Sequence, residues 1–340
     1  MPGIRRGRDH DLLDVNPIAR RVSDLPLVAA GSAPGYGPIF NAGLLHHDGR
    51  YHLFARGVRD GYRRNPVPGG PRFVDYISDV LVFVSAEGLS FDFQRVLAEA
   101  SPRGVWSFED PRVQWIRSAG SAELLMTYTD LPHPATKQPC RIGMHRLVYD
   151  GEGFCLNEDS GCVIGPPGVP DKDGVLFNLT DGRVGLIHRV HPDMQLAVFD
   201  SLRALIEVDD AYWDVHLEDL NEHVILRPSR GALGVGAGAP PIETEAGLVL
   251  FYHEQTGDGT YTANAALLDP GTGQVWSTLP DPLLVPTLDW ERIGDVDSVV
   301  FVQGAHRRSD GTILLTYGAT DRVVGGAVVD EAGLLEALGA

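Results

Sequence analysis

One eight-residue pattern recurs five times along the chain: GRYHLFAR at residues 49–56, AELLMTYT at 122–129, GRVGLIHR at 182–189, AGLVLFYH at 246–253 and GTILLTYG at 311–318. Each copy consists of a turn residue, a run of β-prone apolar residues and then a polar side chain. In the last copy this polar residue is Asp321, three positions after the repeat ends. A unit this short cannot bury its own apolar face, so its repetition is typical of a propeller, a solenoid or an array.

A second strand-like run and a turn precede each copy. Residues 41–45 (NAGLL) lead into His47-Asp48-Gly49, and residues 174–177 (GVLF) lead into Thr180-Asp181-Gly182. Two β-prone runs around a short turn of this kind predict a β-hairpin. Five such hairpins, arranged around one axis, predict an all-β fold, a five-bladed β-propeller.

The repeat runs through most of the chain without a linker, so we expect residues 1–340 to form a single propeller domain. Residues 1–35 are then a lead-in, 36–325 the blades, and 326–340 a closing strand followed by a short helical tail. The 40 glycines and 24 prolines suit a turn-rich β protein, and 43% hydrophobic residues are enough for a large core.

The polar residues of the hairpins are expected to meet at one end of the ring. In an antiparallel hairpin the start of the first strand and the end of the second lie together. The residues at these ends include Asn41, Arg56, Glu109, Asp110, Thr129, Lys172, Asp173, Arg189, His253, Asp297 and Asp321. Apolar strands that end in charged side chains at a shared mouth predict a pocket for a polar ligand.

Composition excludes several partners. The formal net charge is −18, which disfavours nucleic acid because its binding requires a basic surface. The sequence shows neither a signal peptide nor an apolar run as long as a membrane span. The three cysteines lack metal-binding spacing and are odd in number, which suits a reducing compartment. We therefore expect a cytoplasmic protein with no membrane partner and no metal.

Carboxylates remain as candidate catalytic groups. Cleavage of a glycosidic bond requires an acid for the leaving oxygen and a base or external anion for the nucleophile. Asp110 lies in FEDPRV (residues 108–113), and proline is tolerated at the opening of a strand. This placement puts the Asp110 carboxylate at the mouth, where it is a candidate acid.

The chain resembles glycoside hydrolase family 130, five-bladed propeller enzymes that cleave β-mannosides by phosphorolysis or, in some branches, by hydrolysis. The resemblance rests on an ordered set of segments: Phe40-Asn41 with Arg56, EDPR at 109–112, Tyr128-Thr129, KDGVLF at 172–177, His188-Arg189, GAGAPPI at 236–242, FYH at 251–253, LLDP at 267–270 and YGATD at 317–321. It implies a β-mannoside or manno-oligosaccharide substrate. It also leaves a homo-oligomer open, since the family often assembles.

The resemblance also implies residue roles. Asp110 is similar to the family's general acid, thought to pass its proton through a hydroxyl of the bound mannose. The residues that match substrate-binding positions are Asn41, Arg56, Tyr128, His253 and Asp321. Those that match the phosphate or nucleophile site are Lys172, Arg189 and Tyr261. No metal or organic cofactor is implied, and inorganic phosphate is the co-substrate if the reaction is phosphorolysis.

Two departures favour hydrolysis. Phosphorylases of the family usually carry a lysine where this chain has Gly234, and a glycine where it has Glu254. Losing a cation and adding a carboxylate near a dianion site weakens phosphate binding, and the same carboxylate could activate water. We therefore expect an inverting β-mannosidase with Asp110 as acid and Glu254 as base, or Glu218 or Glu222 in its place. A β-mannoside phosphorylase is the alternative, because Arg189 and Lys172 still supply two cations.

Other classes fit less well. A non-catalytic sugar-binding propeller would lack the acid, and Asp110 argues against it. Interaction propellers of the WD or kelch type have shorter repeats with their own signatures. Five-bladed glycosidases acting on arabinans or fructans carry three separate carboxylates and no basic anion site, which disagrees with Arg189 and Lys172.

Overall fold

The computed structural model describes residues 16–67, 69, 72–101, 104–118 and 120–340. Five antiparallel sheets, each containing a path of four hydrogen-bonded strands, form the blades of a five-bladed β-propeller. The fold expected from the repeated hairpins is confirmed. Residues 1–15 of the expected lead-in lie outside the described residues.

The blades follow one another in chain order, with the inner strand of each blade first. Before them comes β1 (Ala19–Arg21). The first blade contains β2 (Tyr36–His47), β3 (Arg50–Arg59), β6 (Ser78–Ser85) and β7 (Asp92–Ala98), with a small separate hairpin of β4 (Arg63–Arg64) and β5 (Phe73–Val74). The second contains β8 (Ser107–Ser118), β9 (Ser121–Leu131), β10 (Arg141–Tyr149) and β11 (Phe154–Val163).

The remaining blades have the same plan. The third contains β12 (Lys172–Asn178), β13 (Val184–Arg189), β14 (Met194–Phe199) and β15 (Val224–Leu226). The fourth contains β16 (Gly234–Ala237), β17 (Ile242–Thr244), β18 (Gly247–Gln255), β19 (Tyr261–Leu268) and β20 (Val275–Thr278). The fifth contains β21 (Phe301–Arg307), β22 (Thr312–Ala319) and β23 (Val323–Asp330), together with β1.

Short helices decorate the ring. They are α1 (Leu202–Ile206), α2 (Asp210–Glu218), α3 (Asp289–Arg292) and α4 (Glu331–Ala337), with 3₁₀ turns at Pro134–Thr136 and Leu220–His223. The first two helices and the second 3₁₀ turn form an insertion between β14 and β15 of the third blade. No helix among the described residues is long and apolar enough to cross a membrane.

The ring is closed by the amino-terminal lead-in. The strand β1 pairs with β23, Ala19 opposite Val329 and Arg21 opposite Ala327. Residues 326–340 were expected to hold the closing strand, but β23 is the third strand of its blade and β1 is the outermost. The buried guanidinium of Arg21 donates at 2.7 and 2.9 Å to the Glu291 carboxylate, which fixes the junction.

Apolar clusters fill the spaces between neighbouring blades. One joins the fourth and fifth blades around Phe251 and Tyr317, both fully buried. At the far ends of the blades, tight turns reverse the strands: Asp48 and Gly49 between β2 and β3 both have positive φ, 49° and 70°. Two positive values in a two-residue loop match the right-handed twist of the flanking strands.

Three inner strands share a β-bulge that aims a polar side chain. The strand registers slip between Phe40 and Ala42, between Glu109 and Arg112, and between Lys172 and Val175. Within these slips Asn41, Asp110 and Asp173 have φ of 45°, 52° and 56°. Asn and Asp tolerate this left-handed region better than other residues, and a bulge redirects the side chain it carries. The three bulges therefore place three polar side chains at the same end of the axis.

Candidate active site

The ends of the inner hairpins converge on one cleft. Its cavity of about 310 Å³ is lined by Asn41, Arg56, Arg72, Phe73, Tyr76, Glu109, Asp110, Lys172, Asp173, Arg189, His253, Tyr261, Val296, Val299, Phe301 and Asp321. All five blades contribute to this lining. The common mouth expected from the hairpin geometry is therefore present.

Glu109 is held between two cations. It forms an ion pair with Arg56, and Lys172 Nζ donates to its other carboxylate oxygen at 2.8 Å. Burial opposes ionisation of Glu109, but the charges of Arg56 and Lys172 outweigh it and lower the pKa of Glu109 to about 2. This carboxylate is a fixed counterion and a weak base.

Asp110 is oriented by three neighbouring groups. Asn41 Nδ2 donates to Asp110 Oδ1 at 2.8 Å, and Arg56 Nη1 lies 3.5 Å from the same oxygen. The fully buried Arg112 donates from Nη1 to the Asp110 backbone carbonyl at 3.1 Å. The side chain is thus fixed at the cleft while keeping a second carboxyl oxygen, Oδ2, for a ligand.

Asp321 shares the same side of the cleft. Burial raises the pKa of Asp321 to about 7; the Arg56 charge opposes this shift, while Asp110 and Glu109 add to it. A carboxyl that exchanges its proton near neutral pH can both donate to and accept from a sugar hydroxyl.

The opposite side of the cleft is built around Asp173. Its Oδ2 lies 2.8 Å from Arg189 Nε, and its Oδ1 accepts from Arg112 Nη2 at 3.1 Å. Burial opposes ionisation of Asp173, but the charges of Arg189 and Arg112 outweigh it and hold its pKa well below the ordinary range. Burial lowers the pKa of His253 to about 3, so that its ring is neutral at physiological pH.

His253 and Tyr261 line the cleft together with Arg189, and His253 packs on the apolar ring of Phe301. The imidazole of His253 stacks on Phe301 with ring centroids 4.0 Å apart, and Tyr261 lies 6.0 Å away by the same measure. Neither ring nitrogen of His253 has a hydrogen-bond partner among the described residues. Burial raises the pKa of the Tyr261 phenol, so it remains a hydrogen-bond donor. These groups, with Arg189 and Lys172, can surround an anion.

The structure brings together most of the residues that the sequence indicated. Those that line the cleft are Asn41, Arg56, Asp110, Lys172, Arg189, His253, Tyr261 and Asp321. They come from equivalent ends of different blades, as the hairpin argument requires.

Two residues must be corrected. Glu254 follows His253 in β18, so its side chain points to the other face of the strand, where its carboxylate accepts from the Ser229 backbone N–H at 2.8 Å. Tyr128 is buried between strands, where its hydroxyl contacts His145 Nδ1 at 3.0 Å and its ring packs on Phe108. Neither side chain lines the cleft.

The substitutes for Glu254 are also misplaced. Glu218 and Glu222 lie at the exposed surface of the helical insertion and are absent from the cleft lining. Among the described residues, none of the three carboxylates proposed as a base lines the side of the cleft that carries Arg189, His253 and Tyr261.

Other residues of the cleft were not assigned by sequence. Glu109 and Asp173 were placed at strand starts without a role, although Asp173 repeats the Asp110 position one blade later. Phe73 and Tyr76 come from the β4–β5 segment, which has no counterpart in the described residues of the other repeats. This segment is held over the mouth because the Tyr62 hydroxyl donates to Asp295 at 2.6 Å.

A wider groove continues from the cleft. It has a volume of about 690 Å³ and shares Arg72, Phe73, Tyr76, Glu109 and Lys172 with the axial cavity. Its outer wall carries Trp106 and His133, whose ring centroids lie 4.2 Å apart in an edge-to-face arrangement. Pro132 and Pro134, which flank His133 in the sequence, line the same groove. Aromatic and proline surfaces beside charged groups suit the apolar faces and hydroxyl edges of sugars.

Comparison with known proteins identifies relatives of the whole chain. The family model for glycoside hydrolase family 130, described as beta-1,4-mannooligosaccharide phosphorylase, matches residues 13–339. The 1,2-beta-oligomannan phosphorylase of Thermoanaerobacter sp. (strain X514) is 26% identical, covering 92% of this chain and 97% of the relative. A beta-1,2-mannobiose phosphorylase of the same organism is 28% identical, covering 86% and 90%.

A solved structure has the same fold. The beta-1,2-mannobiose phosphorylase from Listeria innocua, in complex with beta-1,2-mannobiose, superposes with a TM-score of 0.75 at 19% sequence identity. The match covers 94% of this chain and 99% of that chain.

Proposed function

The chain belongs to glycoside hydrolase family 130, and we propose that it is a β-mannoside phosphorylase. In this reaction inorganic phosphate cleaves the terminal mannose from a manno-oligosaccharide and forms mannose 1-phosphate. Hydrolysis was the favoured expectation from sequence. That preference rested on Gly234 in place of a lysine and on Glu254 as a possible base, and the Glu254 side chain lies outside the cleft. The curated relatives above carry phosphorylase names.

The observation that carries the proposal is a pair of cations at the cleft, Lys172 and Arg189, which are cross-strand partners in β12 and β13. Arg189 and Lys172 supply two positive charges, and the neutral His253 and the Tyr261 phenol supply uncharged polar groups beside Arg189. Hydrogen bonds from these four side chains to phosphate are charge-assisted, because the phosphate is ionised, and such bonds are shorter and stronger than those between two neutral groups. The four side chains therefore suit an anionic nucleophile.

The carboxylates of the cleft are poorly suited to activate water. Glu109 and Asp173 are ionised because their pKa values are strongly lowered. Both carboxylates form ion pairs with arginine or lysine side chains. A base of that strength removes a proton from water inefficiently. Asp321 has a suitable pKa but lies on the Arg56 side, together with Asp110. An external dianion needs no such base.

The chemical step follows from this division. A phosphate oxygen held by Arg189 attacks the anomeric carbon from one face, and the bond from that carbon to the leaving oxygen breaks on the other. Asp110 supplies the proton that the leaving oxygen takes up, by way of a sugar hydroxyl as the family resemblance implies. Asn41, Arg56 and Asp321 hold the hydroxyls of the reacting mannose. A single displacement of this kind inverts the anomeric configuration.

The remaining sugars extend into the wider groove. The axial cavity is at the small end of the range for ligand pockets, of the order of 300 Å³, and the groove beside it is more than twice as large. Trp106 and Phe73 provide apolar surfaces on which sugar rings can stack. We therefore favour oligosaccharides over simple mannosides as substrates.

Product analysis tests the proposal. The purified protein is incubated with β-1,2- and β-1,4-linked manno-oligosaccharides, with and without inorganic phosphate. We expect mannose 1-phosphate and a shortened oligosaccharide from one of the linkages, only when phosphate is present. Equal release of free mannose in both buffers would instead identify a hydrolase. The Arg189→Gln variant serves as the matched control, since it keeps the sugar-binding side intact.

A further inference from the structure

Three buried polar side chains connect the helical insertion to the cleft. His216 of α2 places its Nε2 atom 3.0 Å from Nε2 of His188, and His188 Nδ1 lies 3.2 Å from Asp171 Oδ1. Asp171 and His188 are fully buried and His216 is nearly so. The same Asp171 oxygen accepts from the Arg189 backbone N–H at 3.0 Å. The series therefore ends at the arginine that lines the cleft.

The hydrogen-bond network fixes the direction of donation. Because Asp171 Oδ1 accepts from Arg189, we assign the proton between Asp171 and His188 to His188 Nδ1. With Nδ1 of His188 donating to Asp171, we assign His188 Nε2 as the acceptor and His216 Nε2 as the donor of the bond between the two rings. Burial and the neighbouring His188 and His223 lower the pKa of His216 to about 3, which keeps His216 neutral. Each member thus has one defined role.

Arg189 is consequently held at both ends. Asp171 fixes its backbone, and Asp173 fixes its guanidinium, with Nε 2.8 Å from Oδ2. The two carboxylates flank Lys172, the other cation of the proposed anion site. Groups behind a binding residue commonly set its orientation and its affinity.

We propose that His216 is a positioning residue for the anion site, acting on Arg189 through His188 and Asp171. The helical insertion of residues 201–223 would thereby set the affinity for phosphate without contacting it. This inference rests on the proposed phosphorolysis. It assigns a function to a segment that the repeat pattern does not explain.

The surroundings of His216 support a built arrangement. Its ring stacks on His223 with centroids 3.9 Å apart and an interplanar angle of 18°, and Trp213 of the same helix contacts both His188 and His216 edge to face. These contacts determine where Nε2 points. A residue at 216 that filled the space without donating would leave His188 Nε2 buried and unpaired, which is unfavourable.

The test compares two variants at this position. His216→Phe keeps a ring but removes the donor, whereas His216→Gln keeps an N–H near the Nε2 position. We expect His216→Phe to raise the KM for phosphate about tenfold, as for loss of one buried hydrogen bond, with little change in the KM for the oligosaccharide. His216→Gln should restore most of the phosphate affinity. Val215→Ala, at an exposed position of the same helix, is the control.

Several outcomes would overturn the inference. Unchanged phosphate KM in His216→Phe would do so, as would a parallel rise in the KM of both substrates with a lowered melting temperature. If His216→Phe does not fold, His216→Asn, which is too short to reach His188, replaces it with the same expectation. Calorimetric titration with inorganic phosphate measures the site without turnover. A wild-type protein that binds no phosphate and shows no phosphate-dependent turnover would refute the proposed function itself.

Discussion

Arg189 Nε lies 2.8 Å from Asp173 Oδ2, and Asp173 also accepts from the fully buried Arg112. One carboxylate therefore balances two arginines from different blades, Arg112 in β8 and Arg189 in β13. Arg112 additionally donates to the backbone carbonyls of Ala237 and Gly238 in the fourth blade at 2.8 and 2.7 Å. The cation expected to bind phosphate is thus tied to the packing at the propeller axis.

Removing this counterion should destabilise the whole ring. Asp173→Asn leaves the Arg112 charge buried without full compensation, and we expect about 3–5 kcal/mol less free energy of unfolding at neutral pH. Because the folded-state pKa of Asp173 is depressed, the contribution is fully present above its ordinary value near 3.8 and shrinks as the pH falls below it. Urea unfolding at neutral and acidic pH measures both effects, with the exposed Asp281→Asn as control. A loss no larger than that of the control at neutral pH would contradict the assignment.

The acid at the cleft can be removed without changing its shape. Asp110→Asn keeps an oxygen that accepts from Asn41 Nδ2, so the side chain should stay in place. We expect kcat for phosphorolysis to fall about 10²- to 10⁴-fold, the usual contribution of a general acid, with nearly unchanged oligosaccharide binding. Steady-state kinetics and ligand titration check this. Retained turnover would exclude Asp110 from the mechanism.

Glu254 provides the reciprocal case. Its carboxylate bonds to the Ser229 backbone at the partly exposed side of β18, so Glu254→Gln should leave kcat and both KM values essentially unchanged. Loop distortion is avoided because the amide oxygen still accepts from that N–H. The kinetics of this variant are compared with those of Asp110→Asn. A comparable loss of rate in both would restore Glu254 as the base of a hydrolase.

Asp321 should make stability depend on pH. Its folded-state pKa of about 7 is above the ordinary value of 3.8, so its contribution to stability is fully present below about pH 4. That contribution is lost as the pH rises to about 7. Relative to Asp321→Asn, the wild-type free energy of unfolding should fall by a few kcal/mol at most across this range, at about 1.4 kcal/mol per pKa unit. Denaturant titrations of both proteins over this range measure the difference. A constant difference would show that Asp321 titrates normally.

Close backbone packing at the axis should be equally sensitive. A Cβ at Gly238 would overlap the Val302 carbonyl oxygen and lie 2.8 Å from that of Phe251. Backbone atoms cannot move aside easily, so Gly238→Ala should cost about 1–3 kcal/mol or more. Gly104→Ala, where a Cβ meets nothing within 4 Å, is the matched control. Equal melting temperatures for the two variants would contradict the packing described.

The fold could be predicted largely because the repeat is local. Each blade carries its own hairpin signal, and alternation within the strands is visible in the sequence. The closing strand β1 could not be found this way, since its three residues, Ala19–Arg21, are too few to show an apolar–polar alternation in the sequence. They also pair with a strand more than 300 residues away. Its place is set by a long-range contact, the ion pair of Arg21 with Glu291.

The site followed from the same geometry, and its errors have a simple cause. His253 and Glu254 are adjacent in one strand, so both cannot face the cleft, and the assignment of Glu254 ignored this alternation. Tyr128 failed for the same reason, since it lies in β9 next to Thr129, the cross-strand partner of Glu109, and adjacent side chains of a strand point to opposite faces. Tyr76 could not be predicted, because the segment that carries it is positioned by the hydrogen bond from Tyr62 to Asp295, more than 200 residues along the chain.

The central claim is that phosphate is the nucleophile, and a ³¹P NMR time course tests it most directly. The protein is mixed with a β-linked manno-oligosaccharide in phosphate buffer, and the phosphorus spectrum is followed together with the anomeric proton signals. We expect a new sugar-phosphate resonance to grow in step with the shortened oligosaccharide, with the α configuration in the first product. Free mannose accumulating while inorganic phosphate stays constant would contradict the account.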